Sequence, residues 1–494
     1  MKPRAPGIVI GSLALVAGVW AAASLRWPFQ ADHGVYAWIG DVVLHGGMPY
    51  RDAWDVKGPA ALLPSLIAQV VFGRNMWGLR VLDLIMVSLA AVSIFRILRR
   101  WCGPTGAMLP ALCWVLVYAS VGFTATAQPD GFWAMLLLAS VVPLTAGALP
   151  SARATAMAGA CIAGLALLKP IYLAFLVLPI LANTPARPGE RFRYHSLAWL
   201  AAGFALPVAA TLVWLQAGGA LGAFFDAYIS FNAAKNSAHL LRTFVSAVTD
   251  GMAADPVWLM LVAAAAAGSL LIRTEAPRAT RVLGAWIVIG LIVVHLQRPY
   301  NIYRPHIVSP PVVLLAGYAF ARAVLAGGAG RAMAYAFGAA IVFLVARPPL
   351  VAALAPRPYQ VLSSTAEGLD RVVDLTTRNT RPGEPIFAFR HPAIYFLAER
   401  PAVSRISIRA ATGAGAPPRY ITAHLAELGR ALSDAMPRLI ILPDPGTSAE
   451  ACLGCFEPLS AMPETAATLA PRYRLLQRAD GIAVFMRRDS LEPR

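Results

Sequence analysis

Long apolar stretches recur from residue 7 to residue 347, and they constrain the fold of this chain more than any other feature. A bilayer has a hydrocarbon core about 30 Å thick, and a helix needs roughly 20 apolar residues to cross it. Hydrophobic residues make up 58% of the 494 residues and charged residues only 14%, an unusual balance for a soluble domain. We therefore expect a mainly α fold, a polytopic transmembrane helical bundle of about 11 spans. The candidate spans are 7–25, 76–97, 104–122, 131–149, 154–168, 170–183, 196–217, 256–273, 281–297, 307–323 and 332–347.

The distribution of basic residues orients this bundle. Alternating sides from a cytoplasmic N-terminus places most arginines next to the spans in cytoplasmic segments, as the positive-inside rule requires, and leaves the C-terminus outside. The later spans favour an uncleaved first helix over the alternative, a signal peptide. The net charge of +17 is scattered at the ends of apolar runs, so we expect the lipid bilayer and no nucleic acid as a partner. The expected location is a bacterial inner membrane.

The polar regions divide the chain into domains. Residues 1–347 form the expected transmembrane domain, which carries two extracytoplasmic loops at about 26–75 and 218–255, and loops of this length usually have a function. A linker at 348–359 leads to a small extracytoplasmic α/β domain at 360–494. Its expected strands are "PIFAF", "LIILP", "YRLLQR" and "GIAVFMRR", with a helix in "YITAHLAELGRALSDAM".

Two of the five cysteines, Cys452 and Cys455, form the chain's only CxxC motif. A zinc site usually needs a second such pair or nearby histidines, which this region lacks. A local disulfide in an oxidising compartment is the favoured interpretation.

Two aspartates follow apolar segments at the expected outer face. Asp32 opens a helix after the first span, and Asp130 lies in "ATAQPDGFW" before another. Each is either a helix N-cap or a functional carboxylate; for Asp32 the function would be that of a general base. Lys169, in "LALLKPIYL", lies where two short spans meet on the same side. It is either a functional residue, as ionisable residues at membrane depth usually are, or a lysine that snorkels to the interface.

The segment "YRDAWDVKGP" concentrates charge within the first loop. It is either a solvated turn with exposed ion pairs or a site for a phosphate group. Tyr50 and Trp54 resemble interfacial anchors, which favours the second interpretation because they would hold the charges at headgroup depth. The charged residues concerned are Arg51, Asp52, Asp55 and Lys57.

A third polar segment, "HLQRPYNIYRPHIVSPPVVLL", lies between two later spans on the same expected side. It contributes cations and aromatic rings that suit a phosphate leaving group. Its polar residues are Arg298, Tyr300, Asn301, Tyr303, Arg304 and His306.

Together, these segments make the chain resemble the polytopic lipid-linked-sugar glycosyltransferases of the C fold, in particular bacterial relatives of the protein O-mannosyltransferases and of the lipid A aminoarabinose transferase. The resemblance rests on "ADHGVYAWIGDVVLHGGMPYRDAWDVKGP", "GLALLKP", "YNIYRPHIVSPPVVLLAG" and the trailing α/β domain with "AIYFLAERP". It implies that Asp32 is the catalytic base or acceptor-binding acid and that Asp130 is a second acidic residue. Lys57 would hold the lipid phosphate, and Arg298 and Tyr303 would lie near the donor.

The chain departs from the family pattern at two places. Many relatives have Asp-Glu where this sequence has Asp32-His33, so a paired-carboxylate site would need Asp41 or Asp55 as its second acid. "VKGP" also stands in place of the commoner K-P-P. The sequence identifies no certain cofactor and no metal ligands, although the chemistry allows a divalent cation.

The expected function is transfer of a hexosyl or pentosyl group from a polyprenyl-phosphate donor to an extracytoplasmic acceptor, with inversion. The acceptor is a cell-envelope glycan, a lipid or a protein. The alternative is a transporter or flippase of lipid-linked glycans, which would line a path through the bilayer with polar residues. The expected catalytic residues are Asp32, Asp130 and Asp55, and the expected phosphate contacts are Lys57, Arg51, Lys169, Arg298, Tyr303 and Arg304.

Overall fold

The fold is a bundle of helices with one small sheet. The computed structural model describes residues 5–122, 125–146, 149–186, 189–237, 256–273, 275–297, 304–354, 365–413, 415–444, 452–479 and 481–491. The chain divides into two compact units. The membrane unit comprises Met1–Arg26, Arg80–Thr211 and His239–Pro356, and the loop unit comprises Trp27–Leu79, Leu212–Ala238 and Arg357–Arg494.

Apolar helices lie where the sequence predicts spans. Over the described ranges, five of them have the length and composition to cross a membrane, and shorter apolar helices accompany them. The chain is thus a multi-pass membrane protein, and the number of spans stays a prediction. The helices are Ala5–Ser24, Trp77–Ser120, Pro129–Leu144, Ala152–Leu168, Val177–Asn183, Tyr194–Ala217, Pro256–Ile272, Pro277–Leu296, Ser309–Ala326 and Gly328–Leu354.

The longest of these, Trp77–Ser120, is two helices separated by a break at Gly103. Gly103 has φ +74°, a left-handed conformation that ends a helix readily because glycine has no Cβ. Pro104 follows and suits the first position of a new helix, where its missing N–H costs nothing. The break falls between the predicted spans 76–97 and 104–122. At the other end of the unit, Gly328–Leu354 extends beyond residue 347, so the predicted linker 348–359 begins inside a helix.

Small residues bring helices of the membrane unit close together. Gly268 lies against the backbone of Leu315, and Gly203 lies against the backbone of Ala156, in both cases so closely that a Cβ would collide. Small residues permit such approach between membrane helices, where dispersion contacts rather than water exclusion hold the helices together. The alanine-rich sequence of this unit therefore favours close packing.

The loop unit joins both long loops to the C-terminal domain. Helix Ala31–Leu44 packs on helix Ala393–Ala398 through Gly34, whose missing side chain makes room for Ala393. Nearby, the ring centroids of Trp38 and Tyr395 are 5.2 Å apart. The first loop continues with helix Leu63–Phe72, and the second begins with a helical run from Leu221 to Ser237 that includes a π-helical turn.

The C-terminal part contains a four-stranded mixed sheet in the order β1-β2-β4-β3. The strands are β1 (Phe387–Ala388), β2 (Leu439–Pro443), β3 (Tyr473–Ala479) and β4 (Ile482–Arg487). β1 and β2 are parallel, and β4 is antiparallel to β2 and β3. These strands coincide with the four apolar runs predicted from sequence. The other described helices here are Thr365–Asn379, Arg409–Thr412, Pro418–Ala435 and Pro463–Leu469.

The two cysteines of the CxxC motif lie at the surface. Cys452 and Cys455 are exposed free thiols in the structure, and a disulfide between them stays a prediction.

Candidate active site

Asp32 lies in the first turn of helix Ala31–Leu44 and does not cap it. The cap is Gln30, whose side-chain oxygen accepts a hydrogen bond from the backbone N–H of Asp32 at 2.8 Å. His33 completes a capping box with Gln30. The N-cap interpretation of Asp32 is therefore wrong, and its carboxylate is not used to satisfy the backbone.

The carboxylate of Asp32 is paired with Lys57, 25 residues further along the chain. Lys57 Nζ lies 3.2 Å from Asp32 Oδ2, and the two side chains are 19% and 30% exposed. Lys57 Nζ also lies 4.8 Å from the centroid of the Tyr36 ring, one helical turn after Asp32. A cation over an aromatic face is stabilised electrostatically, so the ring and the carboxylate together fix the ammonium group.

The backbone around Lys57 is fixed from two sides. The Tyr50 hydroxyl donates to the Lys57 carbonyl at 2.8 Å, and the Asn232 side-chain amide donates to the Val56 carbonyl at 2.8 Å. Asn232 comes from the second loop, so both long loops contribute to the placement of Lys57. A side chain on a backbone held in this way can be presented with little loss of entropy on binding.

Asp55 is the second carboxylate near Lys57, and it is buried. Its Oδ1 accepts from the Val56 N–H at 2.8 Å, whereas Oδ2 is buried without a hydrogen-bond partner. Burial raises the pKa of Asp55, the Lys57 cation opposes this rise, and the Asp32 carboxylate adds to it. Asp32, Lys57 and Asp55 thus form one electrostatic group.

Arg51 and Asp41 are engaged elsewhere. Arg51 makes a two-pronged contact with Asp52, at 2.9 and 2.7 Å, and donates to the Gly218 carbonyl at 2.5 Å. Asp41, near the other end of the same helix as Asp32, pairs with Arg74 at 2.7 Å. Of the two residues considered as the second acid, Asp55 is the one that acts electrostatically on Lys57 and Asp32.

Tyr50 and Trp54 are buried inside the loop unit, so their interpretation as membrane-interface anchors is wrong. The Tyr50 ring packs on Phe224, and the Trp54 ring packs on Phe231 and on His424 of the C-terminal domain. The aromatic rings of this segment hold it to the second loop and the C-terminal domain. The charged turn is consequently held in a fixed position by packing of its aromatic rings.

A second aspartate–lysine pair lies in the membrane unit. Lys169 Nζ is 2.5 Å from Asp130 Oδ1, and the hydroxyl of Tyr172 also donates to Asp130. The side chain of Asp130 is 3% exposed and that of Lys169 is 17% exposed, so this pair is more buried than the first. Lys169 is held at the end of helix Ala152–Leu168 because Pro170 forces the residue before it into an extended conformation.

The two pairs are built alike. Asp130 follows Gln128, the N-cap of helix Pro129–Leu144, at the spacing that separates Asp32 from Gln30. The N-cap interpretation of Asp130 is therefore also wrong. Lys169 Nζ lies 5.6 Å from the centroid of the Tyr172 ring, which parallels the contact of Lys57 with Tyr36. Each unit presents an aspartate on a helix N-terminal turn, a lysine from elsewhere in the chain and a tyrosine ring.

The remaining predicted residues come from the segment near residue 300. Arg298 and Tyr303 lie outside the described residues, and for Arg304 only the backbone is described, at the start of a 3₁₀ turn. His306 is buried, and its Nε2 donates to the Ala125 carbonyl at 3.0 Å. It therefore links the 3₁₀ turn before helix Ser309–Ala326 to the turn before helix Pro129–Leu144, and it is not an exposed cation.

Sequence reasoning missed the tyrosines and the asparagine that complete these groups. Tyr36 lies four residues after Asp32 and Tyr172 three residues after Lys169, so helical spacing gave a usable signal for each. Asn232 carried no local signal, because its partner Val56 is 176 residues away. In the described parts of the chain, no group of three or more His, Cys, Asp or Glu side chains is arranged to hold a metal ion.

Comparisons with known proteins agree with this architecture. The family model described as dolichyl-phosphate-mannose-protein mannosyltransferase matches residues 59–214, which include Asp130 and Lys169 but neither Asp32 nor Lys57. ArnT from Cupriavidus metallidurans, solved with bound undecaprenyl phosphate, superposes with a TM-score of 0.63 at 15% identity, covering 99% of this chain and 100% of that chain.

Two further solved structures are similar to lesser degrees. The arabinofuranosyltransferase AftD from Mycobacteria has a TM-score of 0.50 at 14% identity over 96% of this chain and 41% of that chain. The oligosaccharyltransferase of Archaeoglobus fulgidus has a TM-score of 0.48 at 11% identity over 87% of this chain and 67% of that chain. No curated protein sequence matches the chain. The expected resemblance to C-fold lipid-linked-sugar glycosyltransferases is confirmed, and the likeness to ArnT establishes the fold.

Proposed function

We propose that this chain is a membrane glycosyltransferase that moves a sugar from a polyprenyl-phosphate donor to an acceptor on the extracytoplasmic face of a bacterial inner membrane. The Asp32–Lys57 pair carries this proposal, because it combines a proton acceptor with a fixed cation. Sugar transfer from a lipid phosphate needs both: a base for the attacking hydroxyl and a positive charge for the departing phosphate. The fold and the ArnT structure with undecaprenyl phosphate support a lipid-linked donor.

In the proposed step, a hydroxyl oxygen of the acceptor attacks the anomeric carbon of the sugar while its proton passes to Asp32. The bond between that carbon and the phosphate oxygen breaks, and the polyprenyl phosphate leaves. Lys57 stabilises the negative charge that develops on the phosphate. A single displacement of this kind inverts the anomeric configuration.

Lys57 must change partners during this reaction. In the free protein its ammonium group contacts Asp32 at 3.2 Å, so an arriving phosphate competes with Asp32 for the same cation. Donor binding would therefore release the Asp32 carboxylate to accept the proton of the acceptor. This exchange makes the donor the first substrate to bind, and it delays the action of the base until a sugar is present.

The other candidate residues take supporting roles in the proposal. Asp55, buried beside Lys57, balances the charge of the lysine when Asp32 turns to the acceptor. Asp130 is the second catalytic carboxylate, and Lys169 is both its partner and a phosphate contact. The remaining proposed phosphate contacts are Arg51, Arg298, Tyr303 and Arg304. The proposed step uses no metal ion, and the chemistry still allows a divalent cation.

Mass spectrometry of membranes with and without the protein tests this function. Removal of the protein should cause a polyprenyl-phosphate sugar to accumulate and the same sugar to disappear from one glycan, lipid or protein. Unchanged glycans and unchanged lipid-linked sugars would contradict the proposal. Radiolabelled lipid that changes leaflet without any transfer of its sugar would favour the flippase instead.

A further inference from the structure

A cluster of buried polar side chains surrounds residues 125–128, which lead directly into the helix that carries Asp130. Arg80 and Tyr118 lie on the two halves of the long helix Trp77–Ser120, and His306 precedes helix Ser309–Ala326. All three are buried. Burying polar groups in a membrane unit is costly unless they are hydrogen-bonded, so their partners show what the cluster is for.

The hydroxyl of Tyr118 is the centre of the cluster. It donates to Asp83 Oδ1 at 2.6 Å and accepts from the backbone N–H of Ala127 at 2.9 Å. Ala127 has φ +57°, a left-handed conformation that is strained for a residue with a Cβ. Such a conformation persists only where its surroundings hold it, and Tyr118 holds the N–H of this residue.

Two further side chains hold the neighbouring residues. Arg80 Nη1 donates to Thr126 Oγ1 at 3.1 Å. His306 Nε2 donates to the Ala125 carbonyl at 3.0 Å, and its ring lies 4.7 Å from that of Tyr118. Three consecutive residues are therefore each bound by a side chain from a different part of the chain.

The same rings lie close to the first turn of the Asp130 helix, at Gly131. A Cβ built on Gly131 would lie 3.5 Å from the Tyr118 ring and 3.6 Å from the His306 ring. The rings of Tyr118 and His306 thus border the turn that contains Asp130, next to the backbone that precedes it.

We infer that Tyr118, together with Arg80, Asp83 and His306, is a positioning residue that acts through residues 125–127 to place Asp130. The inference rests on the proposed function, in which Asp130 is a catalytic carboxylate. Catalytic groups must be held close to their productive geometry, and a displacement of about 1 Å can cost roughly a hundredfold in rate. The chain meets this need with a strained turn fixed by buried side chains.

The test uses Tyr118→Phe, which removes one hydroxyl and keeps the ring. We expect kcat for sugar transfer to fall about 10- to 100-fold while KM for the donor stays within about twofold, because the variant displaces Asp130 without removing a donor contact. Adding Ala127→Gly should restore part of the lost kcat, since glycine adopts φ +57° without strain and no longer needs the hydroxyl. A residue that serves stability alone would show no such rescue.

Tyr318→Phe is the matched control. Tyr318 is also buried in the membrane unit, and its hydroxyl donates to Glu275 at 2.8 Å, so this variant matches the loss of the hydrogen bond from Tyr118 to Asp83. Its kcat should stay close to that of the unaltered protein even if its thermal stability falls. Equal kcat values for the two tyrosine variants, while Asp130→Asn is inactive, would overturn the inference and leave the proposed function intact. Full activity in Asp130→Asn would overturn the inference and also the catalytic role proposed for Asp130.

Discussion

Lys57 Nζ lies 3.2 Å from Asp32 Oδ2, so the two groups proposed to bind the donor phosphate and to deprotonate the acceptor neutralise each other in the free protein. Both side chains are partly exposed, so water reaches the pair and weakens it relative to a fully buried one. The pair is therefore easily opened by a competing anion. This weakness is what makes an exchange of partners practical in the reaction.

The lysine should control the use of the donor. We expect Lys57→Met to weaken binding of polyprenyl phosphate about 10- to 100-fold, because a hydrogen bond to a charged group contributes roughly 1.5–3 kcal/mol. Binding of the purified protein to the lipid phosphate in detergent measures this directly. Arg74→Met is the control, since it breaks an ion pair to the same helix, at Asp41, and should leave binding unchanged. Equal affinity in Lys57→Met would remove the lysine from the phosphate site.

Two neighbouring carboxylates should give opposite dependence of stability on pH. Burial raises the pKa of Asp55, so the folded state binds this proton more tightly than the unfolded state does. The free energy of unfolding therefore falls as pH rises from about 4, the pKa of an aspartate in the unfolded chain, through the raised pKa of the folded state. The hydrogen bond from Arg51 lowers the pKa of Asp52. The stabilisation that Asp52 contributes is therefore present above about pH 4 and is lost as pH falls through the lowered pKa.

Thermal unfolding of Asp55→Asn and Asp52→Asn between pH 3 and 8 tests this contrast. Relative to the unaltered protein, Asp55→Asn should gain stability as pH rises, and Asp52→Asn should lose it. Parallel curves for the two variants would contradict the opposite pKa shifts of Asp55 and Asp52.

The second aspartate–lysine pair should matter more for stability than the first. Lys169→Met leaves the buried carboxylate of Asp130 without its cation, and removing one partner of a buried pair costs about 3–5 kcal/mol. We expect a much larger drop in the unfolding temperature than for Lys57→Met. Combining Lys169→Met with Asp130→Asn should recover most of the loss. Equal stability of the two single lysine variants would contradict the difference in burial.

Much of the fold was predictable because its signals are local. The length of an apolar run predicts a membrane helix, and a short apolar run bounded by turn residues predicts a strand such as Leu439–Pro443. The break at Gly103 follows from one glycine and one proline. The alternation of basic segments likewise depends only on neighbouring residues, although the orientation it implies stays a prediction.

The site was predictable in its residue types and less so in its contacts. The sequence pattern indicates Asp32 and Lys57 as separate groups, because their pairing depends on how the first loop folds against the second loop and the C-terminal domain. Trp54 shows the same limit. Tryptophan is typical of a membrane interface, but Phe231 and His424, the partners that bury Trp54, lie more than 170 residues away in the sequence. The N-cap alternative for Asp32 is wrong for a more local reason, since Gln30, two residues earlier, caps the helix.

Asp32→Asn tests the role of Asp32 as the base that is released from Lys57, with sugar transfer and polyprenyl-phosphate affinity measured on the same purified protein. The amide cannot accept the proton, so we expect transfer to fall about 10²- to 10⁴-fold. The amide also no longer competes for Lys57, so we expect the lipid phosphate to bind about two- to fivefold more tightly. Asp41→Asn, which alters a carboxylate on the same helix, should change neither quantity. Undiminished sugar transfer by Asp32→Asn would show that Asp32 is not the base.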